Sequence, residues 1–370
     1  MTDPRVPTAP VSTEIDAPAP GATAGDAVTP DAAGSHADPW HALIVGAGPI
    51  GLEAAIAAKR TGLRARVLEA GAIVHAIARY PTTMTFFTTS ERLEIGGHPL
   101  VTGSDKPTRK EALDYYRKVV ANEGLDVVTH TRVTRVTPVA GGFEVEAVNH
   151  RGETLRERAA AVLLATGYFD HPNRLDVPGV ELPHVSYRYV EGHPDYGRDV
   201  VIVGGGSGAA DAALDLYRHG ARVTLVHRGP DFKRSLKYWI RPNLENRVKE
   251  GAIRALFHAR VRAITPTRVA VERTPPDGPA ERLDLPTDRV LLLLGYRADP
   301  ALLIGAGAEV EPTTGVATVD PETRETTVPG LYAIGSAGQG GRTSDVFIEN
   351  GLPHARAAVA YLAARLAAGR

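Results

Sequence analysis

Apolar residues along the chain mark out two stretches of the same shape. Residues 43–70 run from Leu43-Ile44-Val45 through a glycine turn and an alanine-rich segment to a second apolar run ending at Glu69-Ala70. Residues 201–228 repeat this from Val201-Ile202-Val203 to His227-Arg228. The copies superimpose without a gap, so that Gly46, Gly48 and Gly51 fall on Gly204, Gly206 and Ala209, and Glu69 falls on His227. A short apolar run, a glycine turn, a helical period and another apolar run predict a strand–helix–strand unit each time.

The rest of the pattern frames these units. Arg109–Ala121 has helical spacing, with Thr108 as N-cap and Glu111 in the capping-box position. Asp126–Pro138 and Gly142–Val148 alternate as strands of a meander turning at Gly141-Gly142. Ala159–Gly167 reads as a buried strand ending in Thr166-Gly167, and Val290–Gly295 mirrors it. Residues 168–183 read as a crossing linker, and 255–294 as short strands with a Pro-rich hairpin near Pro275-Pro276. Gly330–Gly341 is a strand and glycine loop, followed by a helical stretch over Thr343–Arg365 that the pattern predicts to be interrupted near Gly351-Leu352-Pro353. The fold class is therefore α/β, with two Rossmann-like dinucleotide-binding domains, the second inserted into the first. Expected boundaries are a disordered tail over 1–39, the first domain over 40–175 and 297–370, and the second over 176–296. The tail is expected from its Pro, Ala, Thr, Asp and Gly content without apolar period.

Spacing within each unit follows from the ligand. The first glycine makes a tight turn, the second lets backbone approach a pyrophosphate, and the third position lets the helix pack on the strand. Phosphate then sits among the free N–H groups of a helix N-terminus. What differs between the copies assigns the ligands. Glu69 can accept both hydroxyls of an unphosphorylated ribose. His227 and Arg228, with Lys233 and Arg234 beyond, form a cationic cluster suited to a 2′-phosphate, so NADPH is expected in the second copy. The plain alternative for that cluster is a solvated basic loop. Thr85, Phe86 and Phe87 can wall a flat ring system; the alternative is a core-packing loop.

Composition narrows the class. The formal net charge of −1 argues for neither nucleic acid nor an anionic membrane surface, and no apolar run is long enough for a membrane span. The start has no basic region followed by an apolar one, so cytoplasm is the expected location. With Cys 0, the chain has no disulfide, no thiolate metal site and no relay through its own sulfur; no metal is expected.

These residues resemble the two-dinucleotide-binding-domain flavoproteins at the thioredoxin reductase end, most nearly the bacillithiol disulfide reductase (bacilliredoxin reductase, YpdA-type) subgroup. The resemblance covers nearly all of 42–366. It rests on Gly46–Gly51, Ala165-Thr166-Gly167, Gly204–Asp211 and Leu331–Gly335, and, for the subgroup, on Tyr80–Ser90, Phe347–Gly351, Lys237–Ile240 and Gly295–Asp299. It implies FAD in the first site and NADPH in the second. On the matching positions Gly46, Gly48, Pro49, Ile50 and Gly51 face the FAD pyrophosphate, Glu69 and Ala70 the ribose, and Thr85, Phe86 and Phe87 the isoalloxazine ring. Val133, Thr166, Gly167, Gly335, Ser336, Phe347 and Ile348 complete the flavin set. Gly204, Gly206, Ser207, Gly208 and Ala209 hold the NADPH phosphates, while His227, Arg228 and Arg234 read the 2′-phosphate.

Three departures bear on chemistry. The Cys-x-x-Cys pair of thioredoxin reductases is missing, the subgroup's cysteine in the first glycine loop is replaced by Ile50, and the usual acidic residue after Tyr-Ala-x-Gly is Ser336. The expected reaction is hydride transfer from NADPH to FAD, then reduction of a low-molecular-weight disulfide or a bacilliredoxin. The alternatives are a ferredoxin, flavodoxin or quinone reductase, and a flavin monooxygenase, whose F-x-G-x-x-x-H fingerprint fails at Pro178 and Val180 before His184. A non-enzymatic nucleotide-responsive module would keep both sites without turnover. The helix over 343–365 is expected to aim its N-terminus at the flavin's pyrimidine side. No acid or base is assigned; His354 is the one candidate, against the bland reading of a packed histidine. A homodimer is expected only by analogy with the architecture.

Overall fold

The computed structural model describes residues 38–369, so all but the last two residues of the expected tail lie outside it. The first repeat forms strand β1 (Trp40–Val45), helix α1 (Pro49–Arg60) and strand β2 (Ala65–Leu68). After a short helix α2 (His75–Ala78) come α3 (Arg109–Glu123), β3 (Val127–Val128), β4 (Thr131–Val139), β5 (Gly142–Asn149) and β6 (Thr154–Leu164). A left-handed His130 separates β3 from β4, splitting what the alternation predicts as one strand. The second part holds β7 (Val185–Ser186), β8 (Asp199–Val203), α4 (Ser207–Arg218), β9 (Arg222–Val226), α5 (Arg241–Lys249) and β10 (Arg254–Leu256). It continues through β11 (Ala259–Ile264), β12 (Arg268–Arg273), β13 (Glu281–Pro286) and β14 (Arg289–Leu292). The chain ends with α6 (Ala301–Gly305), β15 (Leu331–Ala333) and α7 (Ile348–Ala368).

Strands β3-β2-β1-β6-β5-β4 lie side by side, with β15 also paired to β6. β1 and β15 both run parallel to the second half of β6, whose first half pairs antiparallel with β5. Alternation along β1 sends Ala42 and Ile44 to one face, under α1, α3 and α7, and Leu43 and Val45 to the other, under the meander and α6. A second sheet, β10-β9-β8-β14-β7, is parallel throughout. Val200 and Ile202 face α4 and α5, whereas Val201 and Val203 face the antiparallel β11-β12-β13. Two crossing segments connect the sheets and run antiparallel: Asn173 N–H donates to Gly295 O and Arg297 N–H to His171 O, both at 2.9 Å. Both open sheets therefore present the C-terminal ends of their strands as ligand-binding edges.

The start of α3 matches the sequence reading, and the last helix is the exception. Thr108 Oγ1 accepts the Glu111 N–H at 3.2 Å while Glu111 Oε2 accepts the Thr108 N–H at 2.7 Å, a complete capping box. Thr108→Ala should cost about 1 kcal/mol of stability, read as a lower urea midpoint with no loss of bound cofactor. The exception is α7, which starts at Ile348 and passes through Pro353 unbroken. The ring lies on the exposed side and removes only its own bond, to the Glu349 carbonyl. On the opposite side Ala355, Ala358, Val359 and Leu362 are packed into the core, and that burial overrides the local penalty.

Candidate functional site

The first cradle is built by close backbone packing. Gly46 has φ +108°, and a Cβ there would lie 2.6 Å from Ala165 O at the end of β6. A Cβ at Gly51 would lie 1.9 Å from Gly46 O, whereas nothing stands within 4 Å of one at Gly48. The outer glycines thus lock turn, helix and neighbouring strand together, and the middle one leaves open space before α1. Gly48 caps α1 without a side-chain hydrogen bond, Pro49 supplies the first turn, and no acidic side chain occupies it. Free N–H groups and the positive end of the helix dipole fit a pyrophosphate there.

Glu69 stands at the end of β2, buried, with Oε2 accepting the Ala47 N–H and Oε1 the Gly71 N–H, each at 2.7 Å. These bonds fix the carboxylate beside the glycine loop, with a lone pair left on each oxygen for a hydroxyl; Ala70 follows it. Thr166 and Gly167 continue β6, and a Cβ on Gly167 would come 3.9 Å from Ser336 Oγ, so these two loops lie side by side. Val133 turns its side chain into the core with Val45 and Leu68. Ile50 is wedged between two glycines: Cβ atoms at Gly335 and Gly351 would lie 2.7 and 2.6 Å from its Cδ1.

The aromatic run divides. Thr85 is exposed, Phe86 is in the core against Tyr80, and Phe87 is half-buried with its ring edge-on to Phe347, centroids 5.7 Å apart. Phe347 precedes Ile348, the first residue of α7, and Asn350 secures that end by accepting the Phe347 N–H at 2.6 Å and donating to Asp345 O at 2.8 Å. His354 lies deeper along α7 with Nδ1 buried and unpartnered. Burial and the nearby Arg324 push its pKa down, against an opposing backbone contact with Gly335, so the ring is neutral at pH 7.

The second cradle follows the same plan. A Cβ on Gly204 would meet Leu293 O at 2.4 Å, Ala209 is buried in the third glycine's place, and the space at Gly206 and Gly208 is open apart from Lys233 Cδ at 3.8 Å. Ser207 opens α4, whose first turn holds no acidic side chain. His227 sits closer to the glycine loop than the three basic residues that follow it. Its ring lies between Gly205 and Gly229, where added Cβ atoms would come 2.6 and 2.9 Å from its nitrogens. Burial first, then Lys233 and Arg228, lower its pKa. Arg228, Lys233 and Arg234 are exposed and, among the described residues, have no ion-pair partner, so the positive charge at this strand end is theirs.

Between the cradles lies a group of residues that the sequence reading used only as motif letters. The Lys237 N–H donates to Ser207 Oγ at 3.3 Å, and its Nζ stands over the Phe87 ring, 2.7 Å from the centroid and 5.3 Å from that of Trp239. Burial lowers the Lys237 pKa to about 8, against the opposing pull of Asp211 and Glu349. Asp211, one turn into α4, is exposed; partial desolvation lifts its carboxyl to about 6, opposed by Lys237 and Arg218. The repeat contained the signal: Asp211 aligns with Glu53, which in the first copy is buried, accepts the Gly96 N–H at 2.7 Å and pairs with Arg356.

The family model for pyridine nucleotide-disulphide oxidoreductases matches residues 43–335. The chain is 39% identical over 325 residues to the bacilliredoxin reductase Bdr of Bacillus subtilis, covering 88% of this chain and 98% of that protein. It is 38% identical to the solved bacillithiol disulfide reductase Bdr (YpdA) of Bacillus cereus, with a TM-score of 0.85 over 89% of this chain and 100% of that one. A ferredoxin–NADP reductase of Granulibacter bethesdensis is 30% identical over 301 residues, 79% of this chain and 80% of the relative.

Proposed function

Because the chain belongs to the pyridine nucleotide-disulphide oxidoreductase family, a family of flavin- and pyridine nucleotide-dependent enzymes, we propose that it is an FAD-dependent NADPH oxidoreductase that reduces a low-molecular-weight disulfide or a bacilliredoxin. The observation that carries this is the pair of matching cradles ending in unlike charge: the pinned carboxylate of Glu69 in one, and Arg228, Lys233 and Arg234 in the other. We assign 40–175 and 297–370 to the FAD part and 176–296 to the NADPH part.

When bound, the flavin accepts a hydride from NADPH and passes electrons onward. The chain's own residues bind and orient. Gly46, Gly48 and Gly51 admit the FAD pyrophosphate to the start of α1, Glu69 receives the ribose hydroxyls, and Ser336 with Gly167 lines the opposite loop. Gly206 and Ser207 receive the NADPH pyrophosphate, and Arg228 and Arg234 its 2′-phosphate. Phe87 and Phe347 would wall the ring, and α7, which starts at Ile348, would offer it the positive end of its dipole. With no cysteine in the chain, the protein itself would supply no disulfide to relay electrons to the acceptor. Ile50 fills the notch between Gly335 and Gly351 with hydrocarbon, so that loop excludes water and supplies no nucleophile.

The same lack of sulfur favours a second reading, a reductase for ferredoxin, flavodoxin or a quinone, in keeping with the ferredoxin–NADP reductase likeness. An anaerobic acceptor screen separates them. Enzyme bleached with NADPH should regain its colour with bacillithiol disulfide or oxidised bacilliredoxin. Recovery with ferredoxin and with neither of those would move the assignment to the second reading. Among the described residues no helix is long and apolar enough to cross a membrane.

A further inference from the structure

Four aromatic rings run in a row from the first cradle's wall out to solvent. Phe347 meets Phe87 edge-on with centroids 5.7 Å apart, Phe87 lies 6.2 Å from Trp239, and Trp239 meets Tyr238 edge-on at 4.9 Å. Phe347 and Phe87 are half-buried, whereas Trp239 is 46% and Tyr238 81% exposed. Two ammonium groups share the one indole: Lys237 Nζ stands 5.3 Å and Lys106 Nζ 5.9 Å from the Trp239 ring centroid. Among the described residues neither ammonium has a hydrogen bond or an ion pair.

Both parts of the chain hold this row in place. Lys106 stands between Asp105 O, which accepts the Ser90 N–H at 3.0 Å, and Pro107 O, which accepts the Phe86 N–H at 2.9 Å. The Lys237 N–H donates to Ser207 Oγ at 3.3 Å, its carbonyl accepts the Ile240 N–H at 3.0 Å, and Leu236 and Ile240 are buried on either side. A contiguous exposed aromatic surface marks a place of contact. The two like charges also repel: burial lowers the Lys237 pKa most and Lys106 lowers it further, against Asp211 and Glu349. An anion seated at the indole relieves that repulsion.

We propose that Trp239, Tyr238, Lys106 and Lys237 form the seat of the oxidising substrate, a low-molecular-weight disulfide that carries carboxylates. This rests on the oxidoreductase reading given above and narrows it. Divalent sulfur sits favourably about 5 Å from an aromatic ring, and the row offers such rings in line. The ammonium groups take carboxylates through charge-assisted hydrogen bonds. Both charges converge on a single indole, which matches a compact anion; the acidic face of a protein partner spreads its charge over a wider area. The row begins at Phe347 and Phe87, so a substrate laid along it reaches the residues proposed to wall the flavin. A seat fixed before its ligand arrives costs little ordering on binding.

The test is titration of oxidised holoenzyme without NADPH, followed by tryptophan emission. Of the two tryptophans, Trp40 is only 7% exposed, so Trp239 is the one a bound ligand can quench. Glutathione disulfide and bacillithiol disulfide, which carry carboxylates, should quench it, and hydroxyethyl disulfide, which carries none, should bind about tenfold more weakly. Lys106→Met should weaken the two anionic disulfides about fivefold, less so at high salt, and leave flavin bleaching by NADPH unchanged. Lys106→Arg should restore wild-type binding. Trp239→Ala should lower kcat/KM for the anionic disulfides about tenfold or more.

Equal binding of charged and uncharged disulfides, or wild-type constants in both Lys106→Met and Trp239→Ala, would overturn the proposal while leaving the oxidoreductase reading intact. So would quenching by oxidised bacilliredoxin or ferredoxin and by none of the small disulfides. A lower melting temperature in Trp239→Ala with unaltered disulfide kinetics would also overturn it, reducing the row to a clasp between two segments. A wild-type flavin that NADPH does not bleach would overturn both.

Discussion

Gly51→Val should yield a protein that purifies without yellow colour. A Cβ at residue 51 would lie 1.9 Å from the Gly46 carbonyl oxygen and 3.3 Å from Ala165 Cβ, so α1 has to back away from the turn that feeds it. The neighbours at fault are backbone and a strand-end methyl, neither of which can rotate aside. Once α1 withdraws, its N–H groups no longer converge where the pyrophosphate would sit, and its packing against α7 is disturbed. Such a change costs several kcal/mol at once, in stability and in binding. Gly48→Ala provides the contrast. Gly48 has φ −71° and ψ 172°, open to any residue, and no atom stands within 4 Å of the added methyl. The apoprotein should melt like wild type, while the methyl intrudes where the cofactor's backbone approach is closest and weakens FAD by about 1–3 kcal/mol, roughly 5- to 150-fold. Flavin absorbance per protein and apoprotein melting are the measurements. A yellow Gly51→Val protein with full flavin content would show that the cradle is not the flavin site.

How far the sequence could be read depended on whether a constraint was local. Gly46 and Gly204 sit at φ +108° and +154°, where side chains are strained, so glycine spacing alone located both turns. The Thr108–Glu111 box is also local, and it marked the start of α3 correctly. Expectations failed where distant contacts decide. Pro353 reads as a helix breaker, but α7 is kept continuous by core packing that no local rule reports. The place of the His227 ring, beneath Gly205 and Gly229, is likewise set by the fold and not by its basic neighbours in sequence. Phe86 belongs to the core and Phe87 to the cleft, a division that adjacent identical residues cannot disclose. The approach of Lys237 to the Phe87 ring draws on two widely separated segments, and each residue alone looks ordinary. The family resemblance itself was legible, since its motifs are carried by contiguous residues and the match spans 43–335.

Replacing Arg228 and Arg234 together with alanine should lower kcat/KM for NADPH by about 10²-fold or more and leave that for NADH nearly unchanged. Each guanidinium offers charge-assisted hydrogen bonds worth about 1.5–3 kcal/mol to a phosphate. Both side chains are exposed, so salt screening trims the sum and the lower end of that range is the working figure. NADH lacks the 2′-phosphate and has nothing to lose. The fall should shrink as ionic strength rises, because the interaction removed is that of surface charges. His227→Ala tests the division of labour within the same loop. As a ring wedged between two glycines it props the backbone that carries the phosphate groups, so its removal should weaken NADPH and NADH by similar factors. A selective loss of NADPH in His227→Ala would restore that residue as a phosphate ligand. Equal losses for both nucleotides in the double arginine variant would take the 2′-phosphate away from this strand end, and with it the distinction between the two cradles.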